Sequence, residues 1–335
     1  MNEILQGDVL EKLRTLPDES ADCIITSPPY WGLRDYGVKG QLGSEPNIAV
    51  FINNMLLVTW ELKRVLKKTG TLFWNHGDSY GTASGSGVRN GIQASNSGTQ
   101  TNKGWQENGK AGVAGYEKSL MLQAYRLVIQ MVDEQGWILR NQIIWHKPNA
   151  MPSSVKDRFG VDFEPVFFFT KSKRYFWEKQ YEDSTDRTYS PFNVRVPDAH
   201  KAKSIQYRAT KREVEGADKY GINGSKFKGH SGNYDAQGNY IGIPGKRGMR
   251  TVWRIPSKGF KDAHFATFPE ALIEPMVLAG CPQGGVVIDP FMGAGTTAVV
   301  AQKLGRNWLG IELNPTYVKI ARERIAGTPV PLPQI

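Results

Sequence analysis

The chain has 335 residues and carries 42 Lys and Arg against 32 Asp and Glu, a formal net charge of +10. Its 40% hydrophobic and 22% charged content fits a folded globular protein rather than a disordered chain, and the length accommodates one large catalytic domain with an insertion. No apolar run approaches a membrane span, the opening MNEILQGDVLEKL lacks a signal-peptide core, and Cys23 and Cys281 have neither disulfide-framework nor zinc spacing.

Taken from the N-terminus, ADCIITS reads as a strand that runs into Ser27-Pro28-Pro29-Tyr30-Trp31. A helix follows from Val50 to Leu66, with Phe51, Met55, Val58, Leu62 and Val65 on one face at spacings of three and four. Gly70 then leads into the strand TLFWNHG, after which Asp78 is expected in a solvated loop. Residues 81–115, rich in Gly, Ser, Asn and Thr, read as a loop. Helix is expected from Tyr116 to Glu134, then the strands WILRNQIIWHK and EPVFFFTKS. From about 180 to 250 the pattern is polar and aperiodic. Between Arg195 and Asp262 there are 15 Lys/Arg and 6 Asp/Glu, a surplus of +9, interleaved with aromatics such as Tyr207, Tyr220 and Tyr234. Such a segment suits phosphates and exposed bases, or simply faces water. Regular α/β alternation returns from Phe268 to Ile325, so the two regular ends read as one sheet interrupted by the basic segment.

The stretch GGVVIDPFMGAGTTAVVAQKLGRNWLGIELNP has the form strand, glycine turn, helix, strand, acid. Val286 to Ile288 form the first strand, Asp289 sits at its carboxyl end, and Gly293 and Gly295 open a helix from about Thr296 to Leu304. Glu312 ends the second strand, where an acid is placed to accept ribose hydroxyls. A nucleoside-containing cofactor follows from that context, and a dinucleotide remains open because Ala298 could fill the third small-residue position.

At the other end, the two prolines of Ser27-Pro28-Pro29-Tyr30 fix φ and lack N–H donors, so the loop is stiff and presents acceptors. The Ser27 hydroxyl, the Pro28 carbonyl and the Tyr30 ring together suit a planar ring bearing an exocyclic amino group. The plainer reading is a strand-terminating turn.

With both stretches present, the chain resembles the S-adenosylmethionine-dependent amino DNA methyltransferases. They share an S/D/N-P-P-Y tetrapeptide and a D-P-F-x-G-x-G loop, here Ser27-Pro28-Pro29-Tyr30 and Asp289 to Gly295. Catalytic motif before cofactor loop is the order of the permuted β group. Gly7-Asp8, IIWHKPNAMP, VWRIP and HFATFPEAL also match, so the likeness covers about 1–80, 137–178 and 251–326.

The resemblance implies a Rossmann-like, seven-stranded, mostly parallel sheet with an antiparallel edge strand, circularly permuted. It implies a catalytic half over 1–180, a basic target-recognition insertion over 181–250 and a cofactor-binding half over 251–335. S-adenosylmethionine would meet Asp289, Phe291, Gly293, Gly295, Thr296 and Glu312, with Asp8 toward the adenine end and Phe268 and Glu270 toward the methionine end. Ser27, Pro28, Pro29 and Tyr30 would be catalytic, with Trp31 either lining the base pocket or packing. The Ser version is similar to the cytosine-N4 type, adenine N6 being the alternative; no metal is implied. DNA is the implied partner of a cytoplasmic protein, and dimerisation and a cognate restriction endonuclease are common among similar enzymes. The rival classes are a dinucleotide oxidoreductase, a non-catalytic nucleic-acid-binding module, and an RNA or protein-glutamine methyltransferase. Neither cysteine sits in the Pro-Cys context of a C5-cytosine nucleophile, so both read as core residues. None of the five histidines is assigned a role.

Overall fold

The computed structural model describes residues 2–81, 116–183, 246–257 and 268–330. Most of the basic 195–262 segment and nearly all of the 81–115 loop lie outside the described residues. The chain divides into two compact units, one of residues 1–178 with 251–335 and one of Lys179–Arg250. In the second unit, β6 (Tyr181–Asp183) pairs antiparallel with β7 (Lys246–Gly248), and Glu182 holds both Arg247 and Arg250 at 2.7 Å.

The first unit is built on β1 (Glu3–Gln6), β2 (Ala21–Thr26), β3 (Leu66–Asn75), β4 (Ile138–His146), β5 (Phe163–Thr170), β8 (Val252–Arg254), β9 (Val286–Asp289) and β10 (Asn307–Glu312). They form one eight-stranded sheet in the order β1-β10-β9-β2-β3-β5-β4-β8. Two differences from the sequence expectation stand out. VWRIP contributes the short β8, which adds an eighth strand beside β4. The single reversed strand, β5, is not at the edge but lies between β3 and β4, antiparallel to both. Its Val166 to Thr170 stretch is wholly buried, as a run flanked by strands and covered on both faces must be.

Helices cover both faces. On one side α1 (Val9–Arg14), α2 (Ile48–Val65) and α3 (Gln123–Asp133) pack on Ile24, Leu72, Trp74, Phe167 and Phe169. The α2 face expected from the sequence is buried at all five positions. The other helices, α4 (Glu270–Gly280), α5 (Thr296–Lys303) and α6 (Pro315–Ala326), include α4 against β2 and β3 and α5 against β9 and β10. α3 starts seven residues later than the apolar pattern suggests. Tyr80 and Gly81 bridge to Leu120 and Glu117, and the Asp78 carboxylate accepts from the Leu122 and Gln123 amides at 2.8 and 3.3 Å. Asp78 is therefore a helix-capping group rather than a solvated one.

The permutation is visible in the sheet. C-terminal β9 and β10 sit between N-terminal β1 and β2, and the Asp22 carboxylate takes the Val286 amide at 2.9 Å across that join. From β2 the chain winds through α2 to β3 in one direction; from β9 it winds through α5 to β10 in the other. The carboxyl ends of β2 and β9 thus flank a topological switch point, where open α/β sheets form their clefts.

Candidate active site

A cavity of about 260 Å³ opens at that switch point. Asp8, Ser27, Pro28, Pro29 and Tyr30 line it from the N-terminal part of the chain; Phe268, Phe291, Gly293, Thr296 and Glu312 line it from the C-terminal part. Tyr30 and Gly293, 263 positions apart in sequence, share one space.

Glu312 is held in the wall by two backbone amides, Gly293 N–H to Oε2 at 2.8 Å and Asn314 N–H to Oε1 at 2.7 Å. Burial raises its pKa, and each oxygen keeps lone-pair capacity for further donors. Asp8 lines the cavity while capping α1 through the Glu11 amide at 3.0 Å, so the turn-forming and wall roles coincide.

Four of the expected contacts are not on this wall. Asp289 is 1% exposed and lies behind the loop, accepting from Thr26 Oγ1 at 2.7 Å, Thr297 Oγ1 at 2.6 Å and the Phe291 amide at 3.1 Å. It ties the strand before Ser27 to the strand and helix around the glycine loop, and burial pushes its pKa up to about 6. Gly295 adopts φ +81°, and a Cβ there would sit 3.0 Å from Ala321 Cβ, so it serves close packing against α6. Glu270 instead pairs with Lys303 at 2.6 Å near the surface. Trp31 is 4% exposed in the core, its indole N–H donating to the Glu45 carbonyl at 2.9 Å; it packs there and is not part of this cavity's lining.

The other end of the cavity contains groups the sequence reading passed over. Tyr30 stacks on His76, ring centres 4.9 Å apart and planes 14° off parallel. His76 is fully buried, and desolvation lowers its pKa to about 4, so the ring is neutral at physiological pH. Its Nδ1 accepts from the Trp74 indole at 3.2 Å, which leaves the proton on Nε2, facing the Gln123 carbonyl oxygen at 3.3 Å. The Tyr30 hydroxyl donates to Glu164 Oε2 at 2.9 Å and lies 3.3 Å from Ser27 Oγ, while Glu164 pairs with Lys147. Glu164, Lys147 and Asn75 also line the cavity. Lys147 belongs to IIWHKPNAMP, and Glu164 is the charged residue at the mouth of the apolar β5 run. A charge in such a place was the available signal. Cys23 and Cys281 are buried, burial raising both thiol pKa values. Among the described residues there is no His/Cys/Asp/Glu cluster able to hold a metal ion, and no helix long and apolar enough to cross a membrane.

A profile of the family described as DNA methylase, of the N6/N4 class, matches residues 21–323. The chain belongs to the N6/N4 DNA methylases. Type II methyltransferase M.Cfr9I of Citrobacter freundii is 36% identical to this methylase over 329 residues, covering 97% of the chain and 87% of the relative. M.SmaI of Serratia marcescens is 34% identical over 332 residues, covering 96% and 90%. Among solved structures, the PvuII cytosine-N4-specific DNA methyltransferase superposes with a TM-score of 0.58 at 19% identity, covering 97% of this chain and 86% of that one. A putative DNA modification methylase of Thermus thermophilus, complexed with S-adenosyl-L-methionine, gives 0.53 at 22% identity, covering 97% and 95%. At these identities the likeness shows the fold, and the methylase has it.

Proposed function

We propose that this methylase transfers a methyl group from S-adenosylmethionine to the N4 amino group of a cytosine flipped out of DNA. The observation that carries the proposal is the shared cavity, with the Ser27–Tyr30 loop at one end and the Phe291–Gly293 loop with Glu312 at the other. The fit to the cofactor rests on Glu312, a half-buried carboxylate pinned by two amides with acceptor capacity turned to a cavity, as a ribose diol requires. Phe291, Thr296, Phe268 and Asp8 would complete its site. When bound, S-adenosylmethionine supplies a methyl group made electrophilic by its sulfonium.

The chain's own residues act on the base. Extruding it from a duplex costs a few kcal/mol, of which stacking on Tyr30 offsets about 1–3 kcal/mol. Tyr30 is fixed for that purpose by His76 behind its ring. Two acceptors, Ser27 Oγ and the Pro28 carbonyl, take the two amino N–H groups and turn the nitrogen lone pair out of conjugation. As positive charge develops on the nitrogen, these dipoles and the Tyr30 ring stabilise it. Ser in the first motif position supports cytosine N4, and the PvuII enzyme of the same fold is cytosine-N4-specific. The relatives' type II character supports a restriction–modification setting in the cytoplasm with a cognate endonuclease.

Nucleoside mass spectrometry of DNA from cells expressing the protein tests this. N4-methylcytosine is expected; N6-methyladenine instead would move the reading to the adenine alternative, and neither product would end it. Tyr30→Ala should lose most turnover while cofactor affinity is kept, and unchanged methylation would refute the stacking role.

A further inference from the structure

Four side chains form a line at the base end of the cavity: Ser27 and Tyr30 from the loop after β2, Glu164 from β5 and Lys147 after β4. The direction of its hydrogen bonds follows from donor counting. A carboxylate has no proton to give, so the one Tyr30 hydroxyl proton goes to Glu164 Oε2, 2.9 Å away. The 3.3 Å contact between Tyr30 and Ser27 must then have Ser27 donating. With its only proton committed, Ser27 Oγ can face a ligand solely as an acceptor. Lys147 holds the other Glu164 oxygen, and its ammonium sits 4.3 Å above the Trp145 ring. Among the described residues, the charged and titratable groups facing Glu164 are Tyr30 after β2, His76 after β3 and Lys147 after β4. His76 is buried and neutral, and the Lys147 ammonium is the cation in contact with the Glu164 carboxylate.

Resting on the reading above, we propose that Glu164 is a positioning residue for this reaction: through Tyr30 it polarises Ser27 as an obligate acceptor and is the terminus for the proton the amino group must lose. The balance is simple. The nitrogen lone pair forms the N–C bond as the methylsulfonium donor's C–S bond breaks, its electron pair staying on sulfur. The nitrogen then carries one proton too many. That proton passes to Ser27 Oγ as Ser27's own passes to Tyr30 Oη and Tyr30's passes to Glu164 Oε2. Base, thioether and Glu164 all end neutral, and Glu164 returns its proton to water through the open cavity once product leaves. Burial, and then the Glu164 charge, raise the Tyr30 pKa well above its usual value, so its proton is present to be relayed at physiological pH.

The decisive variant is Tyr30→Phe, which keeps the ring against His76 and removes the relay. Single-turnover methylation, cofactor affinity by calorimetry and base flipping by 2-aminopurine fluorescence at the target position are measured together across pH. Tyr30→Phe and Glu164→Gln should each slow the methylation step about 100-fold or more, the low end of what positioned proton transfer supplies, with affinity and flipping within twofold of wild type. Glu164→Asp should recover part of the rate. The shape of the pH–rate profile should change in Glu164→Gln relative to wild type, which a merely structural role would not produce. A Tyr30→Phe rate within twofold of wild type would overturn the relay while leaving the stacking role intact. Loss of flipping along with rate would assign the hydroxyl to pocket construction, equally against the relay. Failure of the wild type to methylate DNA at all would instead sink the underlying function.

Discussion

Asp289→Asn isolates a buried carboxylate that joins the two halves of the site. Its Oδ1 accepts from both Thr26 Oγ1 and the Phe291 amide, and its Oδ2 accepts from Thr297 Oγ1. An asparagine with its carbonyl in the Oδ1 position keeps the first two bonds, and its NH₂ can donate to the Thr297 hydroxyl in place of the third. What changes is the charge. Burial lifts the folded-state pKa from 3.8 to about 6, so between about pH 4 and 6 the native state holds a proton the unfolded chain has released. Stability must then fall as pH rises through that window. The gap is worth about 3 kcal/mol at about 1.4 kcal/mol per pKa unit. Urea unfolding of wild type and Asp289→Asn at steps from pH 4 to 7.5 gives the difference directly, because other groups titrate alike in both. The asparagine variant should gain about 3 kcal/mol on wild type across the window. A flat difference, or one that moves the other way, would refute the idea that the native state harbours a costly charge there. Asp289→Ala, by contrast, strands two hydroxyls and an amide and should destabilise at every pH, by about 1–3 kcal/mol per orphaned group.

Three further outcomes follow from the same geometry. A Cβ at Gly310 would run into the Met292 thioether beneath the glycine loop, so Gly310→Ala should cost about 1–3 kcal/mol of stability. Calorimetry on that variant should also show weaker S-adenosylmethionine binding, and an unaltered dissociation constant would mean Met292 does not shape the cofactor end. Glu312→Ala should weaken cofactor binding about 10- to 100-fold, the equivalent of a lost charge-assisted pair of hydrogen bonds, with DNA affinity retained; no change would remove Glu312 from the ribose. Both thiols are buried and the Cys281 pKa is driven up to about 12, so a disulfide reagent at pH 8 should find no fast thiol in the native protein and two after denaturation. Rapid loss of activity on such treatment would contradict a thiol-independent mechanism.

The elements and the two motif-bearing loops were legible in the sequence because their signals are local. The three- and four-residue spacing of Phe51, Met55, Val58, Leu62 and Val65 specifies a helix face without reference to anything else. Pro28 and Pro29, and the strand–glycine–helix run from Val286, likewise carry their geometry in adjacent residues. What the local pattern does not record is partnership. The apolar β5 run fits an edge or an interior slot equally well until β3 and β4 pair on either side of it. Asp289, Gly295, Glu270 and Trp31 have the residue types of site contacts. Whether each faces the cavity or the packing behind it depends on α6, Lys303, Thr26 and the core, all brought close only by the sheet order. The Tyr30–Glu164 contact spans 134 residues. Such a pair forms because interleaved strands set the loop after β2 beside the start of β5, a constraint imposed by whole faces packing together and written in no single stretch of chain.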